Sequence, residues 1–376
     1  MNRLLLCLGC LLAGSAARGG PGSELVYIGT ETRGIYAVRL DGRDGSLSRP
    51  ILAANAFNPG FLVLDPAKRR LYAGDDLTFD PPADPAVGGV SAFSVDPASG
   101  RLTYLNQQPS GDGTPPHLVV DATDRMLIAA DYGAGTVCAW PILRDGGLGM
   151  RSCLLPDRGP PGPNRDRQSR PHPHSVTLSA DNRFALVCDL GLDRVFIDRI
   201  DPRRGSLTPN DPPFAPVPAG AGPRHSKFSA DGRFFYTVNE LGGSICVFAW
   251  DGARGALALR QTLSILPPDF HGRNLSAEIR LHPNGRFVYA SNRGADSLAV
   301  LARDADDGTL QLVETVPSGG RNPRNFALSP DGHWLLCANS VTNNLALFRV
   351  DPGSGRLSPA GGEAAVGRPI CVLFYD

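Results

Sequence analysis

Seven copies of one short turn phrase divide this chain into units of about fifty residues. Most copies begin with aspartate, and all of them end with a glycine, one further residue and a leucine. The copies are DGRDGSL from Asp41, DPASGRL from Asp96, RDGGL from Arg144, DPRRGSL from Asp201, DGARGAL from Asp251, DADDGTL from Asp304 and DPGSGRL from Asp351. A repeat of this length that is built from strands predicts a β-propeller with one four-stranded blade per repeat.

A second phrase lies between the copies of the first and reads as strand, tight turn, strand. Examples are HSKFSADGRFFYTVN from His225 and AEIRLHPNGRFVYASN from Ala277. Asp-Gly and Asn-Gly pairs suit the positive φ of tight turns, and aromatic and branched residues favour strands. A third strand such as SICVFAW and a fourth such as ALRQTL complete the unit. We name the four antiparallel strands A to D from the axis outward.

The two ends of the chain supply the missing parts of one blade. Six complete A–B pairs are visible, and the seventh is divided between RPICVLFYD at the C-terminus and ELVYIGT near the N-terminus. Pairing of these strands would close the ring and remove an exposed sheet edge. The sequence therefore predicts a single all-β domain over residues 24–376, a seven-bladed propeller closed by its terminal strands.

Residues 1–18 have the pattern of a signal peptide. Arg3 precedes an apolar run, and Ser15 to Ala17 resemble a small-residue cleavage site. Export to the periplasm or the cell exterior is therefore expected, with a cytoplasmic location if this segment is not a signal. Cys10 also leaves a lipoprotein site open. No other segment is long and apolar enough to span a membrane.

Charge and cysteine usage disfavour nucleic acid as a partner and a framework of disulfides or metal sites. The formal net charge is zero and the basic residues are dispersed, which disfavours nucleic-acid binding. Five cysteines fall within predicted strands without metal-ligand or disulfide spacing, so they are expected to be buried apolar side chains. We expect no metal and no cofactor, and a monomer.

The strand order indicates which face of the ring carries chemistry. Because strands alternate in direction, the A–B and C–D turns share one face, while the starts of strand A and the B–C loops share the other. Polar side chains gather at the second face and converge on the axis, where a funnel is the expected binding site. They include His117, His172, His174, Arg224, His225, Glu240, Glu278, Asn292, Arg293, Arg324 and Asn325.

Each of these groups also has a structural interpretation. His117 and His225 are either functional or hydrogen-bond partners between blades. Arg224 and Arg293 bind an anion or form salt bridges between blades. The Pro-rich insertion 156–174 is either a lid over the funnel or a solvated loop. His282 lies in an A–B turn on the opposite face and is interpreted as structural.

Long phrases of the chain resemble the bacterial propeller-type lactonase family. These are PHPHSVTLSADNRFALVCDLGLDRV, GPRHSKFSADGRFFYTVNELGGSI, SAEIRLHPNGRFVYASNRGADSL and NPRNFALSPDGHWLLCANSVTNNLALF. The family includes propeller 6-phosphogluconolactonases and is related to fungal 3-carboxy-muconate lactonising enzymes. The resemblance runs from Glu24 to Tyr375 and implies seven blades and lactone chemistry. It carries the catalytic set of the lactonising relatives over to His174, Arg224, Glu240 and Arg293.

The first functional hypothesis is therefore a hydrolase that opens a sugar lactone. His174 and Glu240 would exchange protons with water and the leaving alkoxide, in an order that remains open. Arg224 and Arg293 would bind the oxyanion or an acidic group of the substrate. The predicted substrate-binding residues are His117, His225, Glu278, Asn292, Arg324 and Asn325. No Gly-x-Ser-x-Gly phrase points to an acyl-enzyme.

Two other functions use the same fold. A cycloisomerase would act with these groups on an unsaturated diacid, and a binding propeller outside the cytoplasm would turn over no lactone. The signal-like segment departs from cytosolic family members, since a phosphorylated sugar lactone belongs to the cytosol. The sequence does not identify the lactone.

Overall fold

Seven four-stranded antiparallel sheets form a ring, which confirms the predicted seven-bladed propeller. The structure is a computed structural model that describes residues 22–77, 87–96 and 98–375. The predicted signal peptide, residues 1–18, lies outside the described residues. Within the described part of the chain, no helix is long and apolar enough to cross a membrane.

The blades follow one another along the chain, and each is written here from strand A to strand D. Blade 1 is β28 (Pro369–Tyr375), β1 (Ser23–Thr30), β2 (Arg33–Asp41) and β3 (Ile51–Phe57). Blade 2 is β4 (Phe61–Leu64), β5 (Arg70–Asp76), β6 (Val87–Val95) and β7 (Leu102–Asp112). Blade 3 is β8 (His117–Val120), β9 (Met126–Asp131), β10 (Thr136–Pro141) and β11 (Cys153–Pro156).

The remaining four blades are each built from four consecutive strands. Blade 4 is β12 (Pro173–Leu178), β13 (Phe184–Asp189), β14 (Arg194–Asp201) and β15 (Ser206–Pro216). Blade 5 is β16 (Pro223–Phe228), β17 (Phe234–Asn239), β18 (Ser244–Asp251) and β19 (Ala256–Ser264). Blade 6 is β20 (Leu275–Leu281), β21 (Phe287–Arg293), β22 (Ser297–Arg303) and β23 (Leu310–Pro317). Blade 7 is β24 (Pro323–Leu328), β25 (Trp334–Asn339), β26 (Asn344–Val350) and β27 (Leu357–Ala365).

Blade 1 closes the ring as predicted. β1 pairs with β28 in antiparallel register, with Leu25 opposite Tyr375 and Ile28 opposite Val372. The N-terminal strand therefore lies between the C-terminal strand and β2, and the chain ends cover each other's edges.

The repeated glycine phrase explains how adjacent blades dock. In four blades, a tyrosine of strand B donates its hydroxyl to the backbone carbonyl of the phrase's glycine in the blade that follows. The pairs are Tyr27 to Gly100 (2.5 Å), Tyr72 to Gly146 (3.0 Å), Tyr236 to Gly308 (2.9 Å) and Tyr289 to Gly355 (2.9 Å). All four glycines have positive φ, between 72° and 91°. The phrase is thus an inter-blade contact that needs glycine.

Substitution of Gly308 by alanine tests this contact. Gly308 has a φ of 75°, and an added Cβ would overlap the Phe234 ring. We expect Gly308→Ala to lower the free energy of unfolding by about 2–5 kcal/mol, since left-handed backbone costs about 1–2 and overpacking about 1–3. The matched control is Gly232→Ala, at a φ of 67° with no atom within 4 Å of the new Cβ. It should lose about 1–2 kcal/mol in denaturant unfolding, and equal losses would contradict the docking role.

Candidate active site

A bulge at the start of strand A turns polar side chains toward the mouth of the ring. In β12, β16 and β24 the pairing with strand B shifts register directly after the first residue, which is proline in each. The extra residues are His174, Arg224 and Arg324. Proline suits the first position of a strand, and bulges re-aim side chains next to active sites. Three of the predicted site residues therefore share one local conformation.

Glu240 binds three arginines from three different parts of the chain. Its carboxylate accepts hydrogen bonds from Arg224 Nε (2.9 Å), Arg293 Nη2 (2.7 Å) and Arg167 Nη2 (2.5 Å). The Glu240 side chain is only 3% exposed. Burial raises the pKa of Glu240, but Arg293, Arg224 and the other positive neighbours outweigh it and hold the pKa well below its ordinary value. Glu240 is therefore a firmly ionised carboxylate.

Backbone carbonyls of blade 6 fix two of the guanidinium groups. Arg224 Nη1 donates to Ala277 O at 2.8 Å, and Arg293 Nε donates to Leu275 O at 3.0 Å. Burial, with Arg293 nearby, lowers the pKa of Arg224 to about 9. Three cations share one carboxylate here, so the cluster favours an anionic or polarised oxygen of a ligand.

The third arginine comes from the Pro-rich insertion 156–174, for which the sequence leaves a lid and a solvated loop as alternatives. The neighbouring Gln168 is fully buried and donates to Leu190 O (2.9 Å) and Asp193 Oδ1 (2.7 Å). This anchor places Arg167, with its side chain 26% exposed, against Glu240 and within 3.4 Å of the Tyr132 hydroxyl. Arg167 was not among the predicted site residues.

Three histidine rings pack in T-shaped pairs beside the arginine cluster. The His225 ring centroid lies 5.2 Å from that of His174 and 5.2 Å from that of His117, and the Phe61 ring centroid lies 4.2 Å from that of His117. All three imidazoles are buried. Burial, reinforced by neighbouring positive charge, lowers their pKa well below the ordinary value. At neutral pH the three rings are therefore uncharged bases.

His225 is held by a carboxylate at its inner nitrogen. Its Nδ1 lies 3.0 Å from Glu278 Oε2, and the same oxygen accepts a short hydrogen bond from Asn325 Nδ2. Asn325 Oδ1 in turn accepts from Val372 N at 2.9 Å, which ties this chain of contacts to β28. Glu278 and Asn325 are 1% exposed, so they lie behind His225.

A cavity opens at this mouth with a volume of about 500 Å³, including its open end. The predicted residues that line it are Arg224, His225 and Arg324. Its lining also contains Glu31, Asn58, Phe61 and Thr114. Glu31 Oε1 lies 3.2 Å from Arg324 Nη1, and Glu31 Oε2 accepts a hydrogen bond from Arg368. In the described part of the chain, no group of three or more His, Cys, Asp or Glu side chains is placed to hold a metal ion.

The family model described as "Lactonase, 7-bladed beta-propeller" matches residues 25–374. The chain belongs to this lactonase family. The 6-phosphogluconolactonase of Bacillus subtilis strain 168 is 33% identical over 353 residues, which cover 93% of this lactonase-family chain and 97% of the relative. The 6-phosphogluconolactonase of Serratia proteamaculans is 30% identical and covers 89% and 94% of the two chains.

A solved structure supports the same membership. The periplasmic gluconolactonase of Pseudomonas aeruginosa superimposes with a TM-score of 0.88 at 33% identity, and the match covers 94% of this chain and 99% of that one. The resemblance seen in the sequence is therefore confirmed at the level of family and fold.

Within this lactonase-family site, the predicted residues separate into three groups. His174, Arg224, Glu240 and Arg293 lie together, and His117, His225 and Arg324 adjoin them. Glu278 contacts His225 Nδ1, and Asn325 in turn donates to Glu278. Asn292 differs, because its amide donates to Ile265 O (2.8 Å) and its oxygen accepts from Ser276 Oγ (2.7 Å). Those contacts tie Asn292 to Ser276 of blade 6 and to the segment that follows β19 of blade 5, and its substrate-binding role stays a prediction.

Glu31 was not among the predicted site residues, although its position in the repeat could have identified it. Tyr132 and Glu240 come directly after the end of strand B in their blades, and Glu31 holds the same position after β1 in the split blade. Arg167 had no such signal, since the insertion has no counterpart in the other repeats.

Proposed function

We propose that this chain hydrolyses the ring ester of a sugar lactone. The observation that carries the proposal is the Arg224–Arg293–Arg167 cluster on Glu240, set beside uncharged imidazoles at a cavity mouth. Membership of the lactonase family supports the reaction class, and so do the relatives named 6-phosphogluconolactonase and gluconolactonase.

The arginines act on the lactone carbonyl. Attack by water turns the carbonyl oxygen into an oxyanion, and buried guanidinium groups with fixed orientation stabilise that charge. Arg224 is the member of the cluster that also lines the cavity, so it is the group assigned to this oxygen. A single well-placed donor of this kind contributes about 10²–10³ in kcat.

Proton transfer is assigned to an imidazole of the mouth. The sequence-based hypothesis gave this task to His174 together with Glu240. Glu240 is a poor candidate, because three arginines keep it ionised and occupy its oxygens. Glu240 instead holds the guanidinium groups in place, and His174 adjoins them with an Nδ1 that has no partner among the described residues.

The proposed substrate is an unphosphorylated aldonolactone encountered outside the cytoplasm. The signal-like residues 1–18 support export, and the Pseudomonas aeruginosa relative is described as periplasmic. Arg324, the cavity arginine best exposed to pair with a phosphate, already contacts Glu31. A carboxylate at that position disfavours binding of a dianionic phosphate in the cavity.

The test is a substrate panel with the purified chain. Hydrolysis of glucono-1,5-lactone and of its 6-phosphate would be measured with the spontaneous rate subtracted. Conversion of an unsaturated muconate-type diacid to a lactone would be measured in parallel. Each assay would be run with and without chelator. We expect turnover of lactones and preference for the unphosphorylated one. Turnover of the diacid alone would favour a cycloisomerase, and no turnover of any compound would favour a binding propeller and end the proposal.

A further inference from the structure

We infer that His225, oriented by Glu278, is the general base that activates the attacking water. This inference rests on the proposed lactone hydrolysis and assigns the proton transfer within that site. It makes His225 a catalytic residue, whereas Glu278 and Asn325 become positioning residues. The sequence had suggested that all three bind substrate.

The contacts of His225 determine which of its nitrogens carries the proton. Glu278 Oε2 accepts a hydrogen bond from Asn325 Nδ2, and a carboxylate oxygen is an acceptor, so we assign the proton of the 3.0 Å contact to His225 Nδ1. Glu278 also accepts from Ile279 N (3.0 Å), and Arg280 Nη2 lies 3.6 Å away. These contacts hold the Glu278 carboxylate in one orientation against His225. The uncharged ring therefore presents a lone pair on Nε2.

Nε2, the other ring nitrogen of His225, is buried and has no hydrogen-bond partner among the described residues. The ring itself lines the cavity together with Arg224. A buried nitrogen left unpaired costs stability unless it serves a ligand, and a carboxylate-backed imidazole is suited to take a proton from water. Of the three clustered histidines, His225 is the one with a carboxylate behind it.

The surrounding charges keep this base unprotonated at neutral pH. Arg224 and Lys227 face it from its own strand, Arg280 and Glu278 from β20, and Arg293 from β21, while His117 and His174 are the neighbouring rings. Burial and the four cations lower its pKa well below the ordinary value. The base form therefore dominates above that pKa, and turnover should fall only as the pH drops through it.

The reaction balances with His225 as the only proton carrier. Nε2 takes a proton from water while the water oxygen bonds to the lactone carbonyl carbon, and the carbonyl electron pair moves to its oxygen beside Arg224. When the tetrahedral intermediate collapses, the ring C–O bond breaks and the leaving oxygen takes the proton from Nε2. The hydroxy acid then ionises to solvent, and His225 is restored.

The experiment compares His225→Gln and Glu278→Gln with wild type on glucono-1,5-lactone across pH. We expect His225→Gln to lower kcat by about 10²–10⁴ with little change in KM. Glu278→Gln should lower kcat by about 10² and move the acid limb of the pH profile to lower pH, because the imidazole becomes less basic. Glu278→Asp should recover part of the rate.

The matched control is His282→Gln. His282 is also a buried histidine, but it lies on the opposite face, with Nε2 3.0 Å from Gly332 O. It should keep the wild-type kcat and pH profile, which separates loss of the base from loss of packing. If the wild type is active and His225→Gln or Glu278→Gln keeps the wild-type kcat and pH profile, the assignment of His225 as the base is wrong, while the proposed lactone hydrolysis still stands. A wild type inactive on every lactone would overturn the proposed function, and the inference with it.

Discussion

Replacing Glu240 with glutamine is expected to lower the free energy of unfolding by about 3–5 kcal/mol at neutral pH, because it leaves buried cations without their counter-charge. Arg224, Arg293 and Arg167 all donate to this carboxylate, and the Arg224 side chain is 3% exposed like that of Glu240. Lactone turnover should fall by about 10² or more, since the guanidinium groups lose their fixed orientation. Urea unfolding and steady-state kinetics check the two effects.

The pH dependence gives this prediction a definite sign. The folded-state pKa of Glu240 is depressed, so its stabilising contribution is fully present above the unfolded value of about 4.5 and is lost as the pH falls toward the folded value. The stability difference between wild type and Glu240→Gln should therefore be constant near pH 7 and shrink in acid. A difference that grew below pH 4 would contradict the ionised state assigned to Glu240.

Glu31→Gln is the matched control for Glu240→Gln. Glu31 also lies between arginines, Arg324 and Arg368, but its side chain is 20% exposed. Solvent screens such pairs, so we expect a loss of about 0–1 kcal/mol that diminishes with added salt. Equal losses in the two variants would mean that burial does not govern the Glu240 cluster.

The fold was predictable because its signals are local and repeated. The turn phrase requires glycine at a left-handed φ where the preceding blade docks, so the requirement recurs in every unit, as at Gly308 and Gly355. The split blade was predictable by counting strands, since one A strand and one B strand remained at opposite ends of the chain. Both inferences need only the strand period and the need to cover sheet edges.

The site was predictable in position but not in chemistry. Ring topology alone brings the starts of strand A and the B–C loops together, which placed His174, Arg224 and Glu240 at one mouth. The role of Glu240 depends on the number of arginines that donate to its carboxylate. One of them, Arg167, lies in an insertion that has no counterpart in the other blades, so the repeat pattern does not predict its position. The distinction between His225 and the neighbouring His117 depends on a single carboxylate contact that no periodicity encodes.

Arg224→Met is expected to lower kcat for lactone hydrolysis by about 10²–10³. Arg224 is the residue that links the Glu240 cluster to the cavity, because it donates to Glu240 and Ala277 O while also lining the cavity. Methionine keeps much of the volume but removes the charge and both hydrogen bonds. The loss should appear in kcat more than in KM, since the oxyanion forms only in the transition state.

Arg224→Lys separates charge from geometry at the same position. A lysine ammonium carries the charge, but it cannot keep the planar fork that contacts Glu240 and the Ala277 carbonyl together, so only part of the rate should return. Burial that already lowers the pKa of Arg224 to about 9 will lower that of a lysine further, and the activity of this variant should therefore decline as the pH rises.

Arg303→Met is the matched control, because Arg303 is 6% exposed and bonds Tyr236 and Asp231 away from the mouth. It should lose stability and keep its kcat, whereas full activity in Arg224→Met would show that the oxyanion is stabilised by other groups.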